Sequence, residues 1–211
     1  GLTENRVEAP QAIETVVIDS RQARAGSLFV ALPGENTDGH LFVDDAFQRG
    51  AMAAIVHQPV EACGQGRVIK TGQPIEYSSL TAQDLPLCLQ VEDSLTGLQQ
   101  LATFWRGKFD PRIIGITGSV GKSTSKELVR TVLSRRFNTL ASEGNLNNEI
   151  GLPLTLLNLT AAHERVVLEM GMYALGEIAL LCDIAQPQVG VVTNVGPTHL
   201  ERLGTVERIA Q

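Results

Sequence analysis

Positive charge is scarce in this 211-residue chain: 17 Lys and Arg stand against 23 Asp and Glu, a formal net charge of −6. Nucleic acid is bound by basic faces, so it is excluded as a principal partner. No uninterrupted apolar run approaches the ~18–20 residues of a membrane helix, and no membrane partner is expected. The first ten residues, Gly1 to Pro10, lack the basic and then apolar layout of a secretory signal. Cysteine is also rare: Cys63, Cys88 and Cys182 are scattered and odd in number. They predict a reducing, cytoplasmic compartment with neither a disulfide framework nor a zinc site. Internal repeats and low-complexity tracts are absent. What is present is 43% hydrophobic, 19% charged and 4% aromatic, the balance of a globular chain. The length accommodates one large domain or two modest ones.

Up to about residue 88 the chain reads as short strands and turns around one good helix. Thr15-Val16-Val17-Ile18, Leu28-Phe29-Val30-Ala31, Ala53-Ala54-Ile55-Val56 and Val68-Ile69 are β-rich runs, and a helix is predicted over about 43–49. Asp19-Ser20-Arg21 follows the first run, and the turn-rich segment from Pro33 to His40 follows the second. From Ser94 the texture changes. Leu95, Leu98, Leu101, Ala102 and Trp105 recur at helical spacing, with Asp93 or Ser94 as cap. Beyond Asp110-Pro111, strand-like runs over 112–117, near 137–140, and over 166–169 and 189–193 alternate with helices over about 122–135, 149–156 and 176–185. That alternation indicates a doubly wound parallel sheet. The expected architecture is α/β in two domains. A small mixed α/β N-terminal domain (residues 1–90) precedes a P-loop-type, doubly wound parallel-sheet domain (residues 91–211). Val206, Ile209 and Ala210 begin a helix that meets no stop signal, so the second domain is expected to be truncated.

Four motifs carry chemistry. Gly118-Ser119-Val120-Gly121-Lys122-Ser123-Thr124 follows a predicted strand and opens a predicted helix, the context of a phosphate-binding loop. Its glycines let backbone N–H groups turn toward phosphate oxygens, and the helix N-terminus adds partial positive charge. Lys122 can reach the β and γ phosphates, and the Ser123 hydroxyl can ligate magnesium. The general spacing is not met, because position 116 is Ile and the glycine upstream is Gly115. Asn145, Asn147 and Asn148 crowd a short segment, which reads either as a helix cap and turn or as a polar patch for phosphate and metal-bound water. Glu169 ends an apolar strand where doubly wound sheets place ligands, unless it is a charge that merely closes the strand. His199 follows another apolar strand, on the same sheet edge as Lys122 and Glu169.

Together these residues resemble the Mur ligases, the ATP-dependent amide-forming enzymes of bacterial peptidoglycan synthesis. Thr117 to Ser123 resembles that family's shorter form of the phosphate loop. Gly144 to Leu156, Glu169 to Met172 with Gly176-Glu177-Ile178, and Asn194 to Glu201 are similar to its D-alanyl-D-alanine-adding branch. Asp19-Ser20-Arg21 and the segment from Gly34 to His40 resemble the part that holds a uridine-nucleotide substrate. The resemblance implies two steps. ATP phosphorylates the terminal carboxylate of a UDP-N-acetylmuramoyl tripeptide, and the amino group of D-alanyl-D-alanine attacks the acyl phosphate, leaving ADP and phosphate.

Site roles follow from the same resemblance. ATP is bound by Gly118, Ser119, Val120, Gly121, Lys122, Ser123 and Thr124. Lys122, Asn148, Glu169 and His199 are catalytic, and Ser123, Glu169 and His199 ligate Mg2+. Asp19, Ser20, Arg21, Asp38, Gly39, His40, Asn145 and Asn147 hold substrate. Partners are small molecules, the UDP-N-acetylmuramoyl peptide and D-alanyl-D-alanine, and a monomer is expected. Family members are longer, with a third, C-terminal domain and a carbamoylated lysine beyond the His199 motif. The 211 residues alone are therefore expected not to complete catalysis. Rival readings are a diaminopimelate- or lysine-adding ligase, cyanophycin synthetase, a phosphate-loop kinase or nucleotidase, and a UDP-sugar-binding module.

Overall fold

The computed structural model describes residues 12–35, 37–61, 68–70, 85–198 and 200–211. The chain divides into two compact units, Gly1–Gly97 and Leu98–Gln211. In the first, five short strands lie parallel in the order β1-β2-β3-β5-β4. They are β1 (Thr15–Val17), β2 (Ser27–Val30), β3 (Ala51–Val56), β4 (Val68–Lys70) and β5 (Leu87–Gln90). Every residue of β2 is buried, as a parallel strand covered on both faces must be. Its Phe29 packs with Val17, Ala54, Val56 and Cys88, and with Val43 and Ala46 of helix α1 (Val43–Gln48). Strand β5 escaped the sequence reading: Leu87-Cys88-Leu89-Gln90 holds no β-branched or aromatic residue to mark it. It nevertheless pairs with both β3 and β4. Cys88 on β5 is disulfide-bonded, where the sequence pointed to no disulfide framework; Cys182 is free.

Helix α2 (Ser94–Arg106) begins in the first unit and continues in the second. Asp93 caps it, accepting from the Thr96 N–H at 2.7 Å. The second unit then alternates β6 (Arg112–Thr117), α3 (Lys122–Leu133), β7 (Thr139–Ala141), α4 (Gly151–Leu156), β8 (Arg165–Glu169), α5 (Glu177–Ala185) and β9 (Val189–Val192). Two short helices follow, α6 (Leu200–Leu203) and α7 (Val206–Ala210). All four strands are parallel, in the order β7-β8-β6-β9. The weak run expected near 137–140 forms its strand slightly later, at β7.

Alternation along the strands splits the core into two layers. Ile113, Val166 and Leu168 face Leu152, Leu156, Leu181 and Ile184 from α4 and α5. Ile114, Ile116 and Val167 face Val129 and Leu133 of α3. Helices therefore cover both faces, as the doubly wound reading required. The chain leaves β6 past β8 to reach β7, and leaves β8 past β6 to reach β9. The crevice at the C-terminal ends of β8, β6 and β9 is the reversal point where such sheets take ligands. No helix among the described residues is long and apolar enough to cross a membrane.

If this layering holds the second unit together, Leu168→Ala costs about 2–5 kcal/mol in urea unfolding followed by the single tryptophan, Trp105. Leu128→Ala, on the exposed side of α3, changes stability by less than about 0.5 kcal/mol. Equal losses contradict the layer assignment.

Candidate functional site at the strand ends

Strand β6 runs directly into the loop 118–121. Gly118 has φ +131° and Gly121 has φ +89° as the N-cap of α3, angles that a Cβ disfavours. A Cβ at Gly118 would also collide with the Thr193 hydroxyl and the Asn194 backbone. That crowding shows what holds the loop. The Ser119 N–H donates to the Asn194 carbonyl at 3.0 Å, and the Val120 N–H to Asn194 Oδ1 at 2.9 Å. Thr193 Oγ1 donates to the Val120 carbonyl at 2.6 Å. Ser119 Oγ bridges Gly196, donating to its carbonyl at 3.1 Å or accepting from its N–H at 2.9 Å. The segment after β9 thus clasps the loop after β6, and two separate sequence motifs become one structure.

Two loop N–H groups are spent on this clasp. Those of the first turn of α3 are not, since Gly121 brings no side-chain cap, and they are left for an oxyanion. Lys122 Nζ donates to the Gly118 carbonyl at 2.7 Å across the loop. Ser123 and Thr124 are exposed. Gly118, Ser119 and Lys122 line a pocket of about 430 Å³ whose apolar wall includes Leu175, Ile178 and Val192. That volume suits a small molecule.

Glu169 is the last residue of β8 and pairs in register with Ile116, two residues before the loop. It is only 3% exposed. Asn147 Nδ2 donates to its Oε1 at 2.9 Å, while its Oε2 is buried without a hydrogen-bond partner. Leaving a buried carboxylate oxygen unsatisfied costs free energy, and a cation would satisfy it. Magnesium is commonly held by one or two carboxylates together with phosphate and water, so Glu169 fits it. Among the described residues no group of three or more His, Cys, Asp or Glu forms a protein-only cage. His199 lies outside the described residues.

The three asparagines separate. Asn147 reaches Glu169, and Gly171 donates to the Asn147 carbonyl at 2.7 Å, fixing the segment against β8. Asn148 Oδ1 accepts from the N–H groups of Ile150 at 3.3 Å and Gly151 at 2.8 Å, capping the entry to α4. Asn145 is exposed. The resemblance implied a catalytic role for Asn148 and a substrate role for Asn147; Asn147 is the one that stands beside the carboxylate. Two further residues of this centre, Lys126 and Ser142, were missed. A signal existed for the lysine, which stands four residues after Lys122 on the same side of α3.

In the first unit the flagged residues also sit beyond the C-terminal ends of strands. Asp19 caps a 3-10 turn (Ser20–Gln22) and pairs with Arg21 at 2.7 Å, leaving the arginine side chain 81% exposed. Ser20 is buried. Asp38 caps a second such turn (Gly39–Phe42) and accepts from His40 Nδ1 at 2.6 Å and Gln58 Nε2 at 2.9 Å. The His57 N–H donates to His40 Nε2 at 3.1 Å, which fixes the imidazole proton on Nδ1. Gly39 has no room for a side chain, because a Cβ would sit 2.7 Å from the Leu32 carbonyl oxygen. These residues brace their own loops, and Arg21 offers its charge outward. Hydrogen bonds from the backbone and ring of His40 hold Asp38 below the usual carboxylate range, and the Arg21 side chain does the same for Asp19.

Comparison with known proteins finds family matches over most of the chain. Residues 12–105 match the Mur ligase family catalytic domain, and residues 116–211 match the Mur ligase middle domain. The UDP-N-acetylmuramoyl-tripeptide–D-alanyl-D-alanine ligase of Synechocystis is 43% identical over 199 residues, 94% of this chain and 40% of that protein. The Bacillus subtilis protein of the same name is 39% identical over 96% of this chain and 41% of its own length. Among solved structures, MurF from Acinetobacter baumannii superposes with TM-score 0.78 at 34% identity, over 96% of this chain and 40% of that one. MurF ligase from Thermotoga maritima in complex with ADP gives 0.76 at 35% identity, over 96% and 42%. The chain spans about two fifths of the length of these curated relatives.

The depressed Asp38 carboxyl sets a pH dependence for the first unit. Its contribution is complete above the unfolded value near 4 and is lost as pH falls through the lower folded value. Thermal melts from pH 7 to pH 2.5 on the wild type should show this acid loss, and Asp38→Asn should flatten it. Identical acid limbs for the two proteins contradict the role given to Asp38.

Proposed function

The chain belongs to the Mur ligase family, and on that premise we propose that it carries the substrate-holding and phosphate-binding parts of a D-alanyl-D-alanine-adding ligase. In the proposed reaction the γ-phosphoryl group of ATP passes to the terminal carboxylate of a UDP-N-acetylmuramoyl tripeptide. The amino group of D-alanyl-D-alanine then displaces phosphate from that acyl group, giving the amide. Residues 1–90 form the UDP-substrate domain and 91–211 part of the ATP domain in this reading. The full activity belongs to a protein of the relatives' length. The observation that carries the reading is the clasped loop 118–121 at the strand ends, with a buried, half-satisfied carboxylate beside it.

Each residue has a task in that chemistry. The free N–H groups at the start of α3 receive phosphate oxygens, and Lys122 offsets their charge. Ser123, Glu169 and His199 would hold Mg2+, which supplies charge neutralisation between two anions that must meet. Asn147 holds the carboxylate of Glu169 in place. Arg21 offers a guanidinium to a diphosphate from the first unit. Support for the amino component comes from the names of the curated relatives, and support for the nucleotide from the ADP-bound Thermotoga maritima protein.

Isothermal titration tests the proposal. The chain should bind UDP-N-acetylmuramoyl tripeptide. Lys122→Ala should lower Mg-ATP affinity by about tenfold or more, the worth of one charge-assisted contact. The same variant should leave the tripeptide affinity unchanged. ATP binding without affinity for any UDP ligand would instead favour a phosphate-loop kinase.

A further inference from the structure

Lys126 stands one turn beyond Lys122, so both project from one side of α3. The residues that continue this side, Val129 and Leu133, pack in the apolar layer against Ile114, Ile116 and Val167. Lys126 is 3% exposed, a place where a methionine fills similar space without removing a charge from water. Its ammonium donates to the Ser142 carbonyl at 2.7 Å and meets Glu127 Oε1 at 3.2 Å. Ser142 is itself buried. Its N–H donates to the Val167 carbonyl at 3.1 Å, continuing the β7–β8 ladder past the end of β7. Its hydroxyl accepts from the Glu169 N–H at 3.1 Å. One serine therefore joins a buried ammonium to the backbone of a buried carboxylate residue whose Oε2 has no partner.

We propose that Lys126 is a positioning residue for a divalent cation at Glu169. By anchoring Ser142 it fixes the end of β8, so that the free carboxylate oxygen is presented in one orientation, with Asn147 holding the other oxygen. The inference rests on the reading of Glu169 as a cation ligand given above. A merely structural lysine at this position would behave differently. Its replacement by an apolar residue would affect folding and leave cation binding alone.

Mn2+ titrations with ATP, followed by electron paramagnetic resonance and accompanied by thermal melts, separate the two. Lys126→Met should weaken Mn2+ binding by about 10–100-fold, the usual effect of losing a group that orients a metal ligand, with the melting midpoint unchanged or raised. Ser142→Ala should act in the same direction, and Lys126→Arg should restore part of the affinity. Wild-type Mn2+ affinity in both Lys126→Met and Ser142→Ala, with loss in Glu169→Gln, overturns the positioning role and leaves the cation site standing. Wild-type affinity in Glu169→Gln overturns the cation site and the proposal with it. Should Lys126→Met fail to fold, Ser142→Ala, which removes a single oxygen, decides.

Discussion

A loop with two glycines at positive φ has no regular secondary structure of its own to hold it, and in this chain the segment after β9 holds it instead. Asn194 takes the N–H groups of Ser119 and Val120 with its carbonyl and side chain. Thr193 ties the Val120 carbonyl, and Ser119 and Gly196 face each other. The arrangement depends on β6 and β9 being parallel neighbours, with Thr117 level with Val192. It also depends on the absence of a side chain at Gly118. Because the clasp uses the first N–H groups of the loop, the start of α3 keeps its own without a side-chain cap.

The carboxylate centre is built by the same logic one strand over. Glu169 ends β8 level with Ile116 and is braced by Asn147, Ser142 and, through Ser142, Lys126. A sheet edge that gathers a helix N-terminus, a lysine and a buried carboxylate suits phosphoryl transfer, where positioning and charge neutralisation outweigh covalent chemistry. The first unit shows a related economy. Asp38 and His40 spend their polar atoms on one another, on Gln58 and on His57, which makes a rigid loop.

Much of this was legible in the residues. The glycine loop 118–121, the strand-end Glu169 and the alternation of β6 to β9 with helices stand out because each couples an apolar run to an abrupt polar end. Where the structure differs, the causes are physical. Strand β5, Leu87-Cys88-Leu89-Gln90, lacks the β-branched and aromatic residues that mark the other strands. Within a run of asparagines, spacing does not say which amide turns toward the sheet; that one is Asn147. Lys126 stands at helical spacing from Lys122, but a sequence pattern does not show its charge carried into an apolar layer and onto Ser142. The capping roles of Asp19 and Asp38 appear only once the turns they close are seen.

The central claim is that the loop after β6 and the segment after β9 act as one receiver for polyphosphate. Backbone amide NMR during titration with Mg-ATP tests it most directly. The account predicts the largest shifts at residues 118–124 together with Thr193, Asn194 and Gly196, and little change in the first unit. Shifts at the loop without any at Thr193 to Gly196, or shifts centred elsewhere in the chain, would contradict it.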